Sequence, residues 1–452
     1  MVARAGLTAE VTRRARSRPD TLADVNRIRE ALRHNPGLGR LASVRLVGQF
    51  GDGMFQAALS GAILFNPERE TDPLAIAAGF AVLLLPYSMI GPYAGATLDR
   101  WDRRSVLLIA NVVRALLTLL AAGGLLAGLG EGPLLLLALA AVGISRFVLS
   151  GISAALPNVV EEKWLVPMNS VLATVAAAMA GVGAATSVAL IEAVGVGDTG
   201  SAVAVAGSAL ASVVGAVLAA GFARRALGPA GHAPSYGTAA TLRAVAAGLR
   251  NGAAAVWRAP GVTTAMIGIC VHRMVFGADT LLMVLTLRDN SDSAMPSGLV
   301  GFSVAIVAVA AGMLVAAVTT PILIPLLGRS RTIVGSIVAA TVVQLVLVGS
   351  FSHELLLVGG FLLGLAGQTT KLTGDAAIQI DVDDKQRGQV FALQDTVFNT
   401  AFVAAIAAAA LVVPADGRSH LVVYATVALY VAGLVAIALN ARRTQVAAPR
   451  AV

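Results

Sequence analysis

The chain has a single cysteine, Cys270, set in an apolar block, so it can form no intrachain disulfide. Charge is scarce as well. Asp, Glu, Lys and Arg make up 13% of the residues, against about 25% in an ordinary soluble domain, which points to lipid as the solvent. The five histidines, His34, His232, His272, His353 and His420, are scattered with no paired metal spacing. No GxxxxGK[ST] tract occurs, so neither catalysis nor ATP-driven pumping has support, and the chain reads as a non-enzyme without a cofactor. Only three lysines stand beside thirty arginines in an Ala-rich chain. That bias suggests a GC-rich bacterial genome and a home in the bacterial cytoplasmic (inner) membrane.

What is present is apolar. The 452 residues are 57% hydrophobic, with a mean hydropathy of +0.81. The 47 glycines and long Ala tracts suit helices packed closely in a bilayer, where no hydrophobic force draws them together. A net charge of +8 could suggest nucleic acid, but the basic residues lie between apolar blocks and not in a patch, so a nucleic-acid partner is not expected.

A helix crosses a bilayer with about 20 mainly apolar residues, because its backbone groups must be satisfied internally. Twelve such blocks are predicted, over residues 41–65, 74–98, 105–129, 133–157, 168–194, 200–223, 262–287, 296–326, 332–351, 355–380, 389–413 and 421–440. An even number puts both termini on one side. With that side cytoplasmic, inner segments hold 25 of the 33 Lys and Arg, outer loops hold three and the spans five, a strong positive-inside bias. Residues 1–40 then form a cytoplasmic tail, in which no cleavable signal is expected and the first apolar block directs insertion. Leu22, Val25, Ile28 and Leu32 recur there at helical spacing with Pro36 and Gly37 as stop signals, so an amphipathic surface helix and a disordered tail both fit. The predicted plan is an all-α membrane protein of twelve transmembrane helices in two pseudo-symmetric bundles. These are 41–223 and 262–440, joined by a basic linker 224–261 and followed by a tail 441–452.

An internal repeat supports the two halves. Span one carries RLVGQFGDG (Arg45–Gly53) and span seven RMVFGADT (Arg273–Thr280), each an Arg followed by an Asp six or seven residues on. Glu161-Glu162-Lys163 after span four matches Asp383-Asp384-Lys385 after span ten. The offsets are 228 at the arginines, 227 for Asp52 and Asp279, and 222 at the triplets, consistent with parallel repeats.

Between spans two and three the chain reads GATLDRWDRR, Gly95 to Arg104. This resembles the cytoplasmic signature loop of the major facilitator superfamily, and it sits where that family has it. The resemblance implies that Gly95, Asp99, Arg100, Arg103 and Arg104 help latch the two bundles, with Asp99 meeting the helix start near Arg387, Gly388 and Gln389. The basic residues would also anchor this end against anionic lipid. Asp102 stands where the motif usually has a second Gly. The matching loop of the second half keeps Gly328, Arg329 and Arg331 but has Pro325 in place of the Asp, so the latch is expected to be asymmetric. The tract RGQVFALQDTVFN (Arg387–Asn399) looks like the drug and siderophore exporter branch, whose antiporter Gly-Pro is missing here from span five. The family also implies a protein that works as a monomer.

Ionisable groups inside spans are functional candidates. Asp52 in span one and Arg146 in span four resemble the acid and arginine that proton-coupled exporters aim at a central cavity. A carboxylate exchanging protons beside a permanently charged guanidinium would be a coupling switch, and a static pair that fixes packing is the alternative. Lys371 and Asp375, four apart in span ten, are spaced to neutralise each other. His272 and Asp279 share a face of span seven, and Asp395, Gln394 and Asn399 form a polar face of span eleven. Arg45 is expected to snorkel, and Arg114 has no evident partner. The expected function is proton-gradient-driven export of a small amphipathic, drug- or siderophore-like molecule. Proton-coupled uptake and a non-transporting scaffold or sensor are the alternatives.

Overall fold

The computed structural model describes residues 36–64, 73–82, 84, 101–228, 238–288 and 298–447, and the regular structure among them is helical throughout. In chain order the helices are α1 (Pro36–Leu64), α2 (Pro73–Val82), α3 (Arg103–Leu126), α4 (Glu131–Ala155), α5 (Glu162–Val194) and α6 (Asp198–Ala220). Then come α7 (Thr238–Arg258), α8 (Pro260–Arg288), α9 (Gly298–Leu327), α10 (Arg329–Val346), α11 (His353–Asp381), α12 (Asp384–Ala410) and α13 (His420–Ala447).

Ten of these are long and apolar enough to cross a membrane among the described residues. Helix α1 has the length, 29 residues or about 43 Å at 1.5 Å each, but its polar residues Gln49, Asp52 and Gln56 keep it less apolar. It is a span whose polar side is covered by protein. With α1 and the described part of α2 the twelve predicted positions are filled, in two bundles of six.

Helix α3 shows the membrane logic. Its exposed face carries Ile109, Leu116 and Leu120, while Asn111, Arg114 and Thr118 are at most 3% exposed on the opposite side. Apolar residues face out and polar ones in, the reverse of a soluble helix. The two bundles repeat one packing scheme. Helix α1 packs on α5 and α6, and α3 on α4 and α6; in the second half α8 packs on α12 and α13, and α10 on α11 and α13.

Among the described residues the apolar cores of the two bundles join at one end. A single apolar cluster joins Phe55, Ala58, Ala62, Ile76 and Val205 of the first half to Leu281, Leu299, Phe302 and Phe402 of the second. The Phe80 and Phe402 rings cross that junction with centroids 5.9 Å apart. At the opposite end, where the linker lies, the cores are separate. Leu38, Leu41, Leu156, Phe222 and Leu227 pack in the first bundle, and Val256, Val262, Ile378, Val382 and Val390 in the second. Among the described residues, therefore, the apolar core is shared between the bundles at one end and separate at the linker end, where they stand parted.

Several boundaries differ from the sequence reading. Pro36 is the first described residue of α1, in a first helical turn that has no use for its missing N–H. Residues 22–32, where the tail helix was considered, lie outside the described residues, as do Gly95, Asp99 and Arg100. Pro321 and Pro325 sit inside the last turns of α9, which ends at Gly328 with φ 81°.

The linker is not a plain loop, since most of it is α7, docked on α12 and α8. Gly252 lets it approach the Gln389 backbone closely, and the Arg443 guanidinium lies 3.6 Å over the Trp257 ring. The segment before it belongs to the other bundle. Arg103 N–H donates to Gly228 O at 3.1 Å, Arg103 Nη1 to Ala154 O at 2.9 Å and to Leu227 O at 3.3 Å, and Asn158 Nδ2 to Leu227 O at 3.1 Å. Arg104 donates to Phe222 O and Ala220 O at 3.1 and 3.0 Å, at the negative end of the α6 dipole. Arg103 and Arg104 thus serve carbonyls of their own bundle.

Asp102 explains its departure from the motif. It caps α3, accepting from Arg104 N–H at 3.3 Å and Ser105 Oγ at 2.7 Å, and it also takes the Arg225 N–H at 3.1 Å. Burial alone would raise its carboxyl. The hydrogen bonds from Ser105, Arg225 and Arg104 outweigh that and hold it below the usual aspartate range. A depressed folded value means stability that is complete above the ordinary pKa and lost as pH falls through the folded one. Asp102→Ala is expected to cost about 1 kcal/mol at pH 7, the typical worth of an N-cap. In thermal unfolding of the purified protein the gap to wild type should persist at pH 5. It should close only below about 3.9, the unperturbed aspartate value.

Candidate functional site

Three polar assemblies lie within the spans. The first is in the amino-terminal bundle. Asp52 of α1 forms an ion pair with Arg114 of α3, Oδ1 to Nη2 2.8 Å, with side chains 10% and 3% exposed. Gln49 Nε2 donates to the other carboxylate oxygen at 2.8 Å, and Arg114 Nη1 donates to Ser212 Oγ of α6 at 3.1 Å. Gly51 allows this closeness, because a Cβ there would stand 2.6 Å from the Ala211 side chain. Beside the pair is a pocket of about 10 Å³, the volume that holds about one water. Its walls include Arg45, Asn111 and Ser145.

This corrects the sequence reading, which set Asp52 against Arg146. Arg146 is buried on α4, but the ion-pair partner of Asp52 among the described residues is Arg114. Sequence shows which span carries a charge and not how that span is rotated about its axis. One signal was legible: Asn111, Arg114 and Thr118 recur along one face of α3, and Ser208 and Ser212 along one face of α6. Arg45, expected to snorkel, is buried on the pocket wall.

The second assembly is its counterpart in the other half. Asp279 of α8 accepts from Gln344 Nε2 of α10 at 2.7 Å, and that nitrogen also reaches Thr426 Oγ1 of α13 at 2.9 Å. Acid, donor and hydroxyl come from equivalent helices in the two halves, but a neutral amide replaces the guanidinium. Among the described residues Asp279 Oδ2 has no hydrogen-bond partner. His272 does not pair with it. The ring takes Tyr430 OH of α13 at Nδ1, 2.9 Å away, and presses against Gly367 of α11, where no side chain would fit.

The third assembly is in the carboxy-terminal bundle, between α11 and α12. Lys371 and Asp375 of α11 form an ion pair at 2.8 Å with side chains 33% and 21% exposed. Gln394 of α12 donates to the second Asp375 oxygen at 3.0 Å. Asp395 is exposed on α12 within electrostatic reach of Lys371 and Asp375, and its backbone carbonyl accepts from Asn399 Nδ2 at 3.0 Å.

One residue was underrated by sequence. Arg273 of α8 lies over three rings, with its guanidinium carbon 3.9 Å from the Phe398 centroid, 4.7 Å from Phe402 and 5.4 Å from Phe276. Each ring contributes on the order of 0.5–2 kcal/mol. The three phenylalanines are spread over two helices, so nothing local in the sequence marks them as one cage.

No protein-family model matches the chain. It is 42% identical over 418 residues to an uncharacterized MFS-type transporter of Mycobacterium bovis, covering 92% of this chain and 93% of that one. A second such transporter, of Mycobacterium tuberculosis, matches with the same identity and coverage. Among solved structures, a nucleoside transporter NupG aligns with a TM-score of 0.64 at 14% identity, over 89% of this chain and 98% of that one. A POT family transporter in complex with a thioalcohol-conjugated peptide gives 0.64 at 14% identity over 90% and 96%. At that identity the two structures speak for the fold.

Proposed function

The chain belongs to the major facilitator superfamily of membrane transporters, and from that premise we propose a secondary active transporter that works by alternating access and exchanges protons for a small amphipathic molecule. The observation that carries the coupling is the Asp52–Arg114 pair, held mid-span with a water-sized pocket beside it in a molecule parted at one end. A proton placed on Asp52 removes the negative half of the pair and leaves the guanidinium with neutral acceptors only, Ser212 among them. Loss of that proton re-forms the bridge between α1 and α3. A bond that exists in one protonation state only is a differential interaction, which is what a two-state equilibrium needs to respond to a gradient.

The linker end is read as cytoplasmic from the distribution of Lys and Arg, so the described state opens inward. Lys371, Asp375 and Asp395 then face the inner entrance, and Asp279 and Arg146 are buried polar groups of the two bundles. Export of drug- or siderophore-like compounds is favoured by the tract Arg387–Asn399.

The test is transport in proteoliposomes under an imposed pH gradient, with lipophilic cations, siderophore-like anions and neutral drugs offered in turn. Gradient-driven movement of one class, with matching proton flux in the opposite sense, is the expected result. Movement that is the same with and without the gradient would rule out coupling, and flux of protons and compound in the same sense would mean uptake.

A further inference from the structure

An arginine inside a span normally has a carboxylate or carbonyls to serve, because its five N–H donors lie in one plane and cannot be satisfied by ring faces. Arg114 has such a partner in Asp52, and Arg45 and Arg146 each interact with another group. Arg273 differs. Among the described residues it makes no hydrogen bond and no ion pair, and its Nε is buried without an acceptor. The aromatic rings of Phe276, Phe398 and Phe402 cover the cation from 3.9 to 5.4 Å and leave the N–H edge unserved. The side chain is only half-buried, as are Phe276 and Phe398, so part of the fork stays accessible to an occupant.

We propose that Arg273 is the recognition site for an organic anion, a carboxylate or phosphonate on an apolar body, which supplies the acceptor pair the chain itself does not. This deepens the transport reading by naming the substrate class and rests on that reading for its purpose. A planar carboxylate matches the guanidinium fork with two parallel hydrogen bonds, and the phenylalanines that position the fork also receive the apolar part. Phe402 is shared with the junction to Phe80 of α2, so an occupant at Arg273 touches the contact that holds the two bundles together. Lys371 does not compete for this role, since Asp375 already serves its ammonium.

The experiment uses the purified full chain in detergent, with no gradient and no vesicle, so it stands apart from any test of proton coupling. The probes are 2-naphthoate, 2-naphthylphosphonate and the neutral isostere 2-naphthamide, read by titration calorimetry and thermal unfolding. At least one anion should bind saturably and raise the unfolding temperature, with the amide weaker by about tenfold or more for lack of the charged fork. Arg273→Gln should bring the anion down to the level of the amide. Phe398→Asp, which places an internal carboxylate beside the guanidinium, should keep the fold and abolish the anion effect, which covers the case in which Arg273→Gln does not fold. Equal behaviour of both anions and the amide on wild type, or an anion preference that survives in either variant, would overturn the assignment. Anion binding without gradient-driven transport would instead count against the coupling alone.

Discussion

Asp52→Asn is expected to abolish gradient-driven transport while leaving exchange of substrate at equal pH in place. The amide is nearly the same size and can still meet Arg114 through its oxygen, but it cannot take up and release a proton. It also leaves a buried guanidinium without its counter-charge, and breaking a buried pair in this way costs about 3–5 kcal/mol. A fall in the unfolding temperature is therefore expected together with the loss of drive. The pair Asp52→Asn with Arg114→Gln separates the two effects. Neutral groups at both positions restore stability toward wild type, since no uncompensated charge remains. Gradient-driven transport should stay absent. A double variant that regains the drive would show that the pair only fixes the packing of α1 on α3.

Gly183→Val is expected to prevent stable folding, whereas Gly181→Ala should be harmless or mildly stabilising. A Cβ at Gly183 would run into the carbonyl oxygen of Phe50, and a Cβ at Gly53 would run into that of Ala180, so α1 and α5 lock into each other reciprocally. Those obstacles are backbone atoms in helices and cannot rotate aside. The cost belongs at or beyond the top of the roughly 1–3 kcal/mol seen for overpacking. At Gly181 nothing stands within 4 Å, and Ala gains about 0.5–1 kcal/mol over Gly in a helix interior. The yield of monodisperse protein and its unfolding temperature report both outcomes. Equal behaviour of the two variants would show that α1 and α5 do not approach as closely as described.

The contrast between these glycines also shows what a sequence can disclose. Both were visible as small residues in span five, and only the packing separates the one that is required from the one that is not. The many-span helical fold in two halves was legible because bilayer thickness and lipid solvation act on every residue of a segment at once. The repeat at Arg45 and Arg273 correctly placed Asp52 and Asp279 on equivalent helices. It could not show that their partners, Arg114 and Gln344, are also equivalent, because those residues differ in charge. Ion-pair partners depend on helix rotation, which a span of uniform apolar composition hardly records. The Arg273 cage was hidden for a related reason, since Phe398 and Phe402 lie more than a hundred residues from the arginine they cover.

The divided attachment of the linker carries a mechanical consequence. Gly228 is fastened to the first bundle through Arg103, and Thr238 begins a helix that travels with the second. Residues 229–237 are all the chain that lies between these two anchors. A fully extended chain spans about 3.3–3.6 Å per residue, so the tether between Gly228 and Thr238 cannot exceed about 36 Å. Under the proposed alternating access, that covalent length bounds how far the two anchors can separate, whatever the charge, proton or substrate.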